Sequence, residues 1–272
     1  MKVPHFLKSL LAGAGAAAVL LLVLAAYQHW QPAAVPAQPP ARPELEVPYV
    51  ATVEEVVDGM LALAEIGPSD HVIDLGCGDG RILVAAARAR GASGYGVDLD
   101  PRRVREAEAN ARRAGVAGRL RFEVRDLFDA PIAGASVVAL YLLPEINLRL
   151  RPRLLAELRP GTRIVSHAFD MGDWRADRTA EVGSARIFLW VVPARVGGRW
   201  AFIDEAGRRT ALTLDQRFQY VSGSVSDARL AGDRLTFTVD IGGRARSLEG
   251  RVGGDRIEPL EPGAGWRMER TG

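Results

Sequence analysis

The chain has 272 residues, 48% of them hydrophobic, so it is long enough for a folded domain with a sizeable core and for additional segments. Its net charge of only +2 argues against a general nucleic-acid-binding surface, and its single cysteine excludes an internal disulfide and a cysteine metal cluster. Histidines and carboxylates do not occur at metal-ligand spacing, so no metal is expected.

The N-terminal segment has the composition of a membrane anchor. Lys2 and Lys8 precede an apolar run over 10–27, which as a helix spans about 27 Å, close to the roughly 30 Å of a bilayer core. We predict a single-pass membrane helix over 1–30, with a long signal peptide as the alternative, and a proline-rich linker over 31–46. The two lysines favour a location of the following domain outside the cytoplasm, but the sequence leaves the side of the membrane open.

The first predicted strand ends near an acid and opens onto a glycine-rich turn. Residues 71–75 form an apolar run that contains Asp74, as expected of a strand buried between helices. Glycines at alternate positions then allow a turn without Cβ atoms, against which a ligand can lie. These are Gly76, Gly78 and Gly80. A helix predicted over 81–89 presents free N–H groups there, and Cys77 is interpreted as a small filler beside the ligand.

The next two predicted strands also end in acids. The strand over 93–98 ends in Asp98, before Leu99, at the distance from the glycines where a carboxylate can accept hydrogen bonds from both hydroxyls of a ribose. The third strand ends in Asp126. A competing dinucleotide-binding turn requires its third glycine where this chain has Arg81. Acids at three successive strand ends are difficult to attribute to capping alone.

The fourth and fifth predicted strands lead to the candidate substrate site. A strand over 136–142 precedes a helix that extends to residue 158, and a fifth strand over 162–166 precedes a dense mixture of titratable and aromatic residues. The candidates are Tyr141, Pro144, Glu145 and Asn147 after the fourth strand, and His167, Asp170 and Trp174 after the fifth. Tyr141, His167 and Asp170 are the catalytic candidates, and Trp174 can stack on a substrate's stem or ammonium group. Purely structural roles stay open for all of them.

Together these motifs resemble the class I, seven-stranded S-adenosylmethionine-dependent methyltransferases over residues 47–193. The resemblance implies a Rossmann-like, mostly parallel sheet. It also implies that Asp74 and the three glycines, with Cys77 beside them, hold the methionine part of S-adenosylmethionine. By the same likeness the ribose lies at Asp98 and Leu99, and the adenine lies at Asp126 and Leu127.

Within that superfamily, four segments are similar to a smaller membrane-tethered group. The group includes the mitochondrial lysine methyltransferases of ATP synthase subunit c and of the adenine nucleotide translocase. The segments are 48–50, 56–61, 74–81 and 158–165. This narrower resemblance implies a protein lysine amine as the methyl acceptor and adds Tyr49 to the substrate candidates.

The C-terminal part is predicted to be antiparallel β structure. Strands over 186–192 and 199–204, with glycines in the turn, are predicted as the hairpin that completes the main sheet. From about residue 210, short alternating runs broken by glycines indicate an antiparallel meander. We therefore predict a methyltransferase domain over 47–205 and a small C-terminal antiparallel β appendage over 206–272. Whether the appendage recognises substrate, forms a dimer or covers a sheet edge stays open.

The sequence as a whole predicts a membrane-anchored α/β methyltransferase that uses S-adenosylmethionine, with a protein lysine as the expected acceptor. One alternative is methylation of a small lipid- or quinone-like acceptor, which proximity to the bilayer would favour. Another is a non-catalytic, cofactor-binding scaffold of the cell envelope, against which the intact motif residues argue. No nucleic-acid partner is expected, and the oligomeric state is left open.

Overall fold

The computed structural model describes residues 51–271. The predicted membrane helix, the proline-rich linker and Tyr49 therefore lie outside the described residues. Over 51–271, no helix combines the length and the apolar character needed to cross a bilayer.

Seven strands form the main sheet, as predicted. They are β1 (His71–Leu75), β2 (Ser93–Asp98), β3 (Leu120–Val124), β4 (Val137–Leu140), β5 (Arg163–His167), β6 (Arg178–Val182) and β7 (Ala185–Val191). Their order is β3-β2-β1-β4-β5-β7-β6, with β1 to β5 parallel and β7 antiparallel to both of its neighbours. The carboxyl ends of the five parallel strands therefore meet at one edge of the sheet.

Among residues 51–271, four helices cover the two faces of this sheet. They are α1 (Glu54–Leu63), α2 (Arg81–Arg90), α3 (Pro101–Arg113) and α4 (Pro144–Glu157). Side chains of α1 and α2 pack in one core with Val72, and side chains of α4 pack in the other core with Ile73. The helix α3 begins at a clear capping signal, because the Asp100 carboxylate accepts a hydrogen bond from the N–H of Arg102 at 2.9 Å and Pro101 occupies the first turn.

The eight remaining strands close into an antiparallel barrel. They are β8 (Gly198–Ile203), β9 (Arg209–Arg217), β10 (Tyr220–Gly223), β11 (Ser226–Ala231), β12 (Arg234–Asp240), β13 (Ala245–Gly253), β14 (Arg256–Pro259) and β15 (Arg267–Arg270). The ring is complete because β8 pairs with β9 and β15, and β10 pairs with β9 and β11. Apolar side chains fill its interior, including Trp200, Phe202, Phe237, Trp266 and Met268. The predicted appendage is therefore a barrel with a core of its own.

The predicted hairpin that completes the main sheet is wrong in its second strand. The partner of β7 is β6, which precedes it, whereas β8 pairs only with barrel strands. The strand β6 lies at the sheet edge and buries none of its side chains fully, so its sequence lacks the apolar alternation that identifies a strand. The strand β8 has a buried apolar run over 200–203, which is typical of a strand, but its large side chains Trp200 and Phe202 belong to the barrel core.

Candidate active site

The glycine turn between β1 and α2 is held against β2 by backbone hydrogen bonds. The N–H groups of Gly76 and Cys77 donate to the carbonyl of Val97 at 2.9 and 2.8 Å, and the N–H of Gly80 donates to the carbonyl of Cys77 at 2.8 Å. Gly76, Gly78 and Gly80 have φ angles of 81°, 52° and 74°. This is the left-handed region that favours glycine, so the alternate spacing of the glycines reflects the backbone of the turn.

Glycines at the turn and under it are also required for space. A Cβ on Gly80 would lie 2.8 Å from the Cβ of Ala107 and 2.9 Å from the ring of Phe122. A Cβ on Gly96 of β2 would lie 2.9 Å from both Cβ and Sγ of Cys77. Cys77 is 5% exposed, and burial raises the pKa of its thiol well above the ordinary value. Its environment is that of a buried filler and not of a reactive thiolate.

Asp98 lies at the end of β2 and is fixed by the turn. Its Oδ2 accepts a hydrogen bond from the N–H of Gly78 at 2.9 Å, and its Oδ1 accepts one from the N–H of Asp100 at 2.8 Å. The carboxylate is half-buried, and each oxygen has a second lone pair that a hydroxyl can use. The neighbouring Leu99 is 37% exposed. This geometry fits the ribose role predicted for Asp98, because the backbone N–H groups orient the carboxylate before the cofactor binds.

Asp126 follows β3 and caps a short 3-10 turn over Leu127–Asp129. Its Oδ1 accepts a hydrogen bond from the N–H of Phe128 at 2.9 Å. Arg153 of α4 donates to the carbonyls of Leu127 and Phe128 at 3.2 and 2.6 Å, which fixes the turn against α4. The capping role that the sequence left open is thus present for Asp126. The adenine contacts of Asp126 and Leu127 stay predictions.

Asp74 is a buried acid with an unsatisfied oxygen. It is 2% exposed, and among residues 51–271 its Oδ2 has no hydrogen-bond partner. Burial, together with the negative charges of Asp98 and Asp79, raises the pKa of Asp74 to about 8. A buried carboxyl oxygen without a partner is costly, and a cationic ligand would remove the cost. The methionine part of S-adenosylmethionine carries such a cation, so Asp74 and the glycine turn fit that cofactor.

Arg81, which the sequence analysis did not assign to the site, connects the glycine turn to Thr52 in the segment before α1. Arg81 donates to the carboxylate of Asp79 through Nη2 at 2.6 Å and through Nε at 2.9 Å. Its Nη1 donates to the backbone carbonyl of Thr52 at 2.8 Å. The signal that could have found this link is Arg81 itself, which stands where a dinucleotide-binding turn would have glycine.

A row of three rings lies at the carboxyl ends of β4 and β5. The ring centroid of Tyr141 is 3.9 Å from that of His167 and 6.4 Å from that of Phe169. The Nδ1 of His167 is 3.3 Å from the Oγ1 of Thr52. His167 is 7% exposed, and burial lowers the pKa of its imidazole, so the ring is neutral near neutral pH. The structure brings Tyr141 and His167 together and adds Phe169, which the sequence analysis missed.

The loop over 168–177, which we call the β5 loop, begins in a strained conformation. Ala168 has a φ of 66°, in the left-handed region. Just after it, the N–H of Phe169 donates to the carbonyl of His167 at 2.8 Å, and the Oγ of Ser166 donates to the carbonyl of Phe169 at 2.7 Å. Such a backbone persists only where its surroundings determine it, and strained residues of this kind cluster at functional sites.

Two of the predicted substrate residues, Asn147 and Trp174, are fully buried. Asn147 is 0% exposed, and its Nδ2 donates to the carbonyls of Phe169 and Asp170 at 3.3 and 3.2 Å. Trp174 is also 0% exposed and stacks on Phe218 of the barrel, with ring centroids 5.7 Å apart. Among residues 51–271 the Oδ1 of Asn147 has no hydrogen-bond partner, and the substrate contacts of Asn147 and Trp174 stay predictions. The sequence of a polar and aromatic segment after a strand does not distinguish an open loop from a loop that packs against the rest of the protein.

The other predicted residues of this edge are exposed. Pro144 begins α4, and Glu145 lies in its first turn. The Oδ1 of Asp170 accepts a hydrogen bond from the N–H of Gly172 at 3.0 Å. Their contacts with a substrate stay predictions. Between residues 51 and 271, no cluster of His, Cys, Asp or Glu side chains could hold a metal ion.

The part of the chain that carries this site matches known methyltransferases. Residues 74–178 match a family model described as the ANTKMT methyltransferase domain. A protein-lysine N-methyltransferase from Saccharolobus islandicus is 40% identical over 151 residues, which are 54% of this chain and 94% of that protein. The adenine nucleotide translocase lysine N-methyltransferase of Mus musculus is 32% identical over 148 residues, which are 54% of this chain and 64% of the mouse protein.

A solved structure supports the same fold and cofactor. The RNA methyltransferase from Salinibacter ruber, in complex with S-adenosyl-L-homocysteine, is 48% identical with a TM-score of 0.53, over 54% of this chain and 96% of that one. S-adenosyl-L-homocysteine is what S-adenosylmethionine becomes when it gives up its methyl group, and S-adenosylmethionine is the cofactor that the glycine turn, Asp74 and Asp98 fit. The chain belongs to the class I S-adenosylmethionine-dependent methyltransferases.

Proposed function

We propose that this methyltransferase acts on lysine amines of a protein. The observation that carries the proposal is the row of rings formed by His167, Tyr141 and Phe169 at the carboxyl edge of the sheet. A lysine has an aliphatic stem and an ammonium group, and both pack favourably on aromatic faces. The names of the Saccharolobus islandicus and mouse relatives, which are protein-lysine and translocase lysine N-methyltransferases, support the same acceptor.

The reaction requires an aligned and deprotonated amine. S-adenosylmethionine supplies a methyl group that its sulfonium already activates, so the protein has to orient and desolvate the acceptor. A lysine amine has an ordinary pKa of about 10.4 and must lose a proton before it can act as a nucleophile. His167 is available to accept that proton because burial lowers the pKa of its imidazole and so keeps the ring neutral. The transfer also requires burial of the amine beside the rings, which lowers the pKa of the amine. Since Thr52 contacts Nδ1, we assign Nε2 as the accepting atom, and we assign Asp170 to attract the incoming cation.

We also propose that the reaction takes place close to a membrane. The support is the apolar run over 10–27 with Lys2 and Lys8 before it, which lies outside the described residues. The proline-rich segment over 31–46 would serve as a spacer to the catalytic domain. Fractionation of cells that express the full chain tests the anchor, and protease protection reports the side of the membrane. Recovery of the full-length chain in the soluble fraction would overturn this part of the proposal.

A second candidate acceptor is RNA. The Salinibacter ruber protein at 48% identity is named an RNA methyltransferase. Binding to a phosphate backbone depends on many cationic contacts, and the net charge of this chain is only +2. We therefore place RNA behind protein lysine and give it a separate arm of the test.

One labelling experiment distinguishes the acceptors. The full-length protein is incubated with methyl-labelled S-adenosylmethionine and with separate protein, RNA and lipid extracts of the parent cells. Label in protein that is recovered as methyllysine after hydrolysis supports the proposal. Label in RNA or in lipid overturns it in favour of that acceptor. Cofactor binding without transfer to any extract overturns catalysis and favours a scaffold.

A further inference from the structure

The turn between β9 and β10 is unusual for a tight hairpin. Arg217 pairs with Tyr220, so Phe218 and Gln219 are the two turn residues. Phe218 has a φ of 55°, a conformation that two-residue hairpin turns normally assign to glycine, asparagine or aspartate. An aromatic residue in this conformation is an outlier, and it persists only where surrounding contacts hold it.

The surrounding contacts of this turn come from the β5 loop. The ring of Phe218 stacks on the ring of Trp174 at 5.7 Å between centroids, with 18° between their planes. The Nε1 of Trp174 donates to the Oε1 of Gln219 at 3.0 Å, and the Nε2 of Gln219 donates to the carbonyl of Arg175 at 2.8 Å. Both turn side chains thus contact the loop, and Phe218 packs against the core of the main sheet.

An ion-pair cluster links the same turn to α4. The carboxylate of Asp173 is held by Arg217 of the barrel, with Nη2 and Oδ2 2.6 Å apart, and by Arg151 of α4. Arg151 also donates to the carbonyl of Met171 at 2.7 Å, and its guanidinium lies 5.4 Å from the ring centroid of Phe218. The middle of the β5 loop is therefore held from both sides, by α4 and by the barrel.

The beginning of the same loop carries a ring of the candidate acceptor site. Phe169 follows the strained Ala168 and lies beside Tyr141. Ser166 and Asn147 of α4 hold the carbonyl of Phe169, and Asn147 also holds the carbonyl of Asp170. Beyond Asp170 the loop is held at its middle, at Met171, Asp173 and Trp174. Release of Trp174 from the barrel would therefore loosen the segment that presents Phe169.

We propose that the Phe218–Gln219 turn is a positioning element of the methyltransferase, through which the barrel sets the position of the β5 loop and of Phe169. The inference rests on the proposed placement of the acceptor beside Phe169. The matched family model ends at residue 178, before the barrel begins at Gly198, so the barrel adds to the site a support that the model does not describe.

The test compares Phe218→Gly with Phe237→Leu. The first substitution removes the ring from Trp174 while it leaves the turn a residue that adopts positive φ without strain. The second truncates a buried ring that packs on Trp266 in the barrel core, whereas Trp174 of the β5 loop packs in the core of the main sheet, so it controls for general loss of barrel stability. Should Phe218→Gly fail to fold, Gln219→Ala removes the hydrogen bonds to Trp174 and Arg175 without a change at Phe218.

Three measurements separate this proposal from the choice of acceptor. Hydrogen exchange of amides 168–177 should be accelerated in Phe218→Gly and unchanged in Phe237→Leu. The kcat/KM for whichever extract is labelled should fall about tenfold in Phe218→Gly only, since a small misplacement of a positioned group is costly. The affinity for S-adenosyl-L-homocysteine, measured by calorimetry, should be unchanged in both variants.

Two outcomes would overturn the proposal. One is that Phe218→Gly shows the same hydrogen exchange of amides 168–177 and the same kcat/KM as the parent protein. The other is Phe237→Leu with the same defects as Phe218→Gly, because the barrel would then act only through overall stability. A wrong assignment of lysine as acceptor would appear as label in another extract and would leave the exchange measurement intact.

Discussion

Thr52 and His167 are joined by a contact of 3.3 Å between Oγ1 and Nδ1, across 115 positions of the chain. The backbone carbonyl of Thr52 accepts a hydrogen bond from Arg81, which also holds Asp79 in the glycine turn. The short segment before α1 therefore contacts the glycine turn through its backbone and the proposed acceptor side through its side chain.

This arrangement predicts that Thr52 orients His167. Thr52→Val keeps the size of the side chain but leaves a buried ring nitrogen without its partner, which costs about 1–3 kcal/mol where the group stays desolvated. We expect a several-fold loss of kcat, little change in cofactor affinity, and restoration by Thr52→Ser. Steady-state kinetics and calorimetry check this. Equal kcat for the valine and serine variants would contradict it.

His167 is expected to accept the proton of the amine. Because burial lowers the pKa of its imidazole, kcat should fall only as the pH drops below the ordinary histidine value of 6.5. His167→Ala should lower kcat by about a hundredfold and remove that acidic limb. The affinity of the His167→Ala variant for S-adenosyl-L-homocysteine should equal that of the parent protein. A pH–rate profile of the same shape in both proteins would exclude His167 from proton transfer.

Asp98 is expected to determine cofactor affinity. Asp98→Ala removes the acceptor predicted for the ribose hydroxyls and also releases the N–H groups of Gly78 and Asp100. Each charge-assisted hydrogen bond is worth about 1.5–3 kcal/mol, so calorimetry should show affinity for S-adenosyl-L-homocysteine at least about tenfold weaker. Glu258→Ala, an exposed barrel acid, is the control for loss of a carboxylate. Unaltered affinity in Asp98→Ala would refute the ribose role.

Asp74 is expected to make the stability of the cofactor-free protein depend on pH. Its pKa of about 8 in the folded protein lies above the ordinary value of 3.8, so the folded protein holds this proton more tightly than the unfolded chain does. The stabilisation of the folded protein that results from this tighter proton binding is fully present below pH 3.8 and is lost as the pH rises through about 8. Urea denaturation at several pH values should show this decline, and Asp74→Asn should flatten it. An identical pH dependence in both proteins would contradict the raised pKa.

Binding of the cofactor should reverse that protonation. A cationic ligand beside Asp74 stabilises its ionised form, so binding of S-adenosylmethionine near neutral pH should release a proton. Calorimetry in buffers of different ionisation enthalpy measures the release directly. Asp74→Asn should bind more weakly and without the release. Equal proton release in both proteins would assign the proton to another group.

Gly96 is expected to tolerate no side chain. Gly96→Ala would place a Cβ 2.9 Å from the Sγ of Cys77 and 2.9 Å from the Cδ1 of Leu83. Overpacking of a close-packed core costs about 1–3 kcal/mol, and the shift of Cys77 should also weaken cofactor binding. Gly118→Ala is the matched control, because a Cβ there meets nothing within 4 Å. Equal melting temperatures of Gly96→Ala and Gly118→Ala would contradict this expectation, because they would show that the glycine turn accommodates the added Cβ.

The geometry of the candidate cofactor site could be predicted from the sequence because neighbouring residues determine it. The positive φ of Gly76, Gly78 and Gly80 is a local property of the turn, and only glycine adopts it freely. The position of Asp98 follows from the length of an apolar strand and from the rule that parallel strands present their carboxyl ends at one edge.

The acceptor half could not be predicted in the same way because it depends on contacts between distant segments. Thr52 reaches His167 from before α1, and Trp174 is covered by Phe218 from the barrel. Neither contact leaves a periodic signal in the sequence. The assignment of the strand predicted over 199–204 to the wrong sheet has the same origin, since an apolar strand does not specify which core its side chains will join.

The closed barrel limits where this chain can be truncated. A fragment that ends near residue 205 keeps β8 but lacks β9 and β15, the two strands that pair with it. In such a fragment Trp200 and Phe202 lose the barrel side chains that bury them. A cut between β7 and β8 removes the barrel whole, yet it uncovers Trp174. A fragment for biochemical work therefore has to run through β15 to Arg270, well past the region that defines the family.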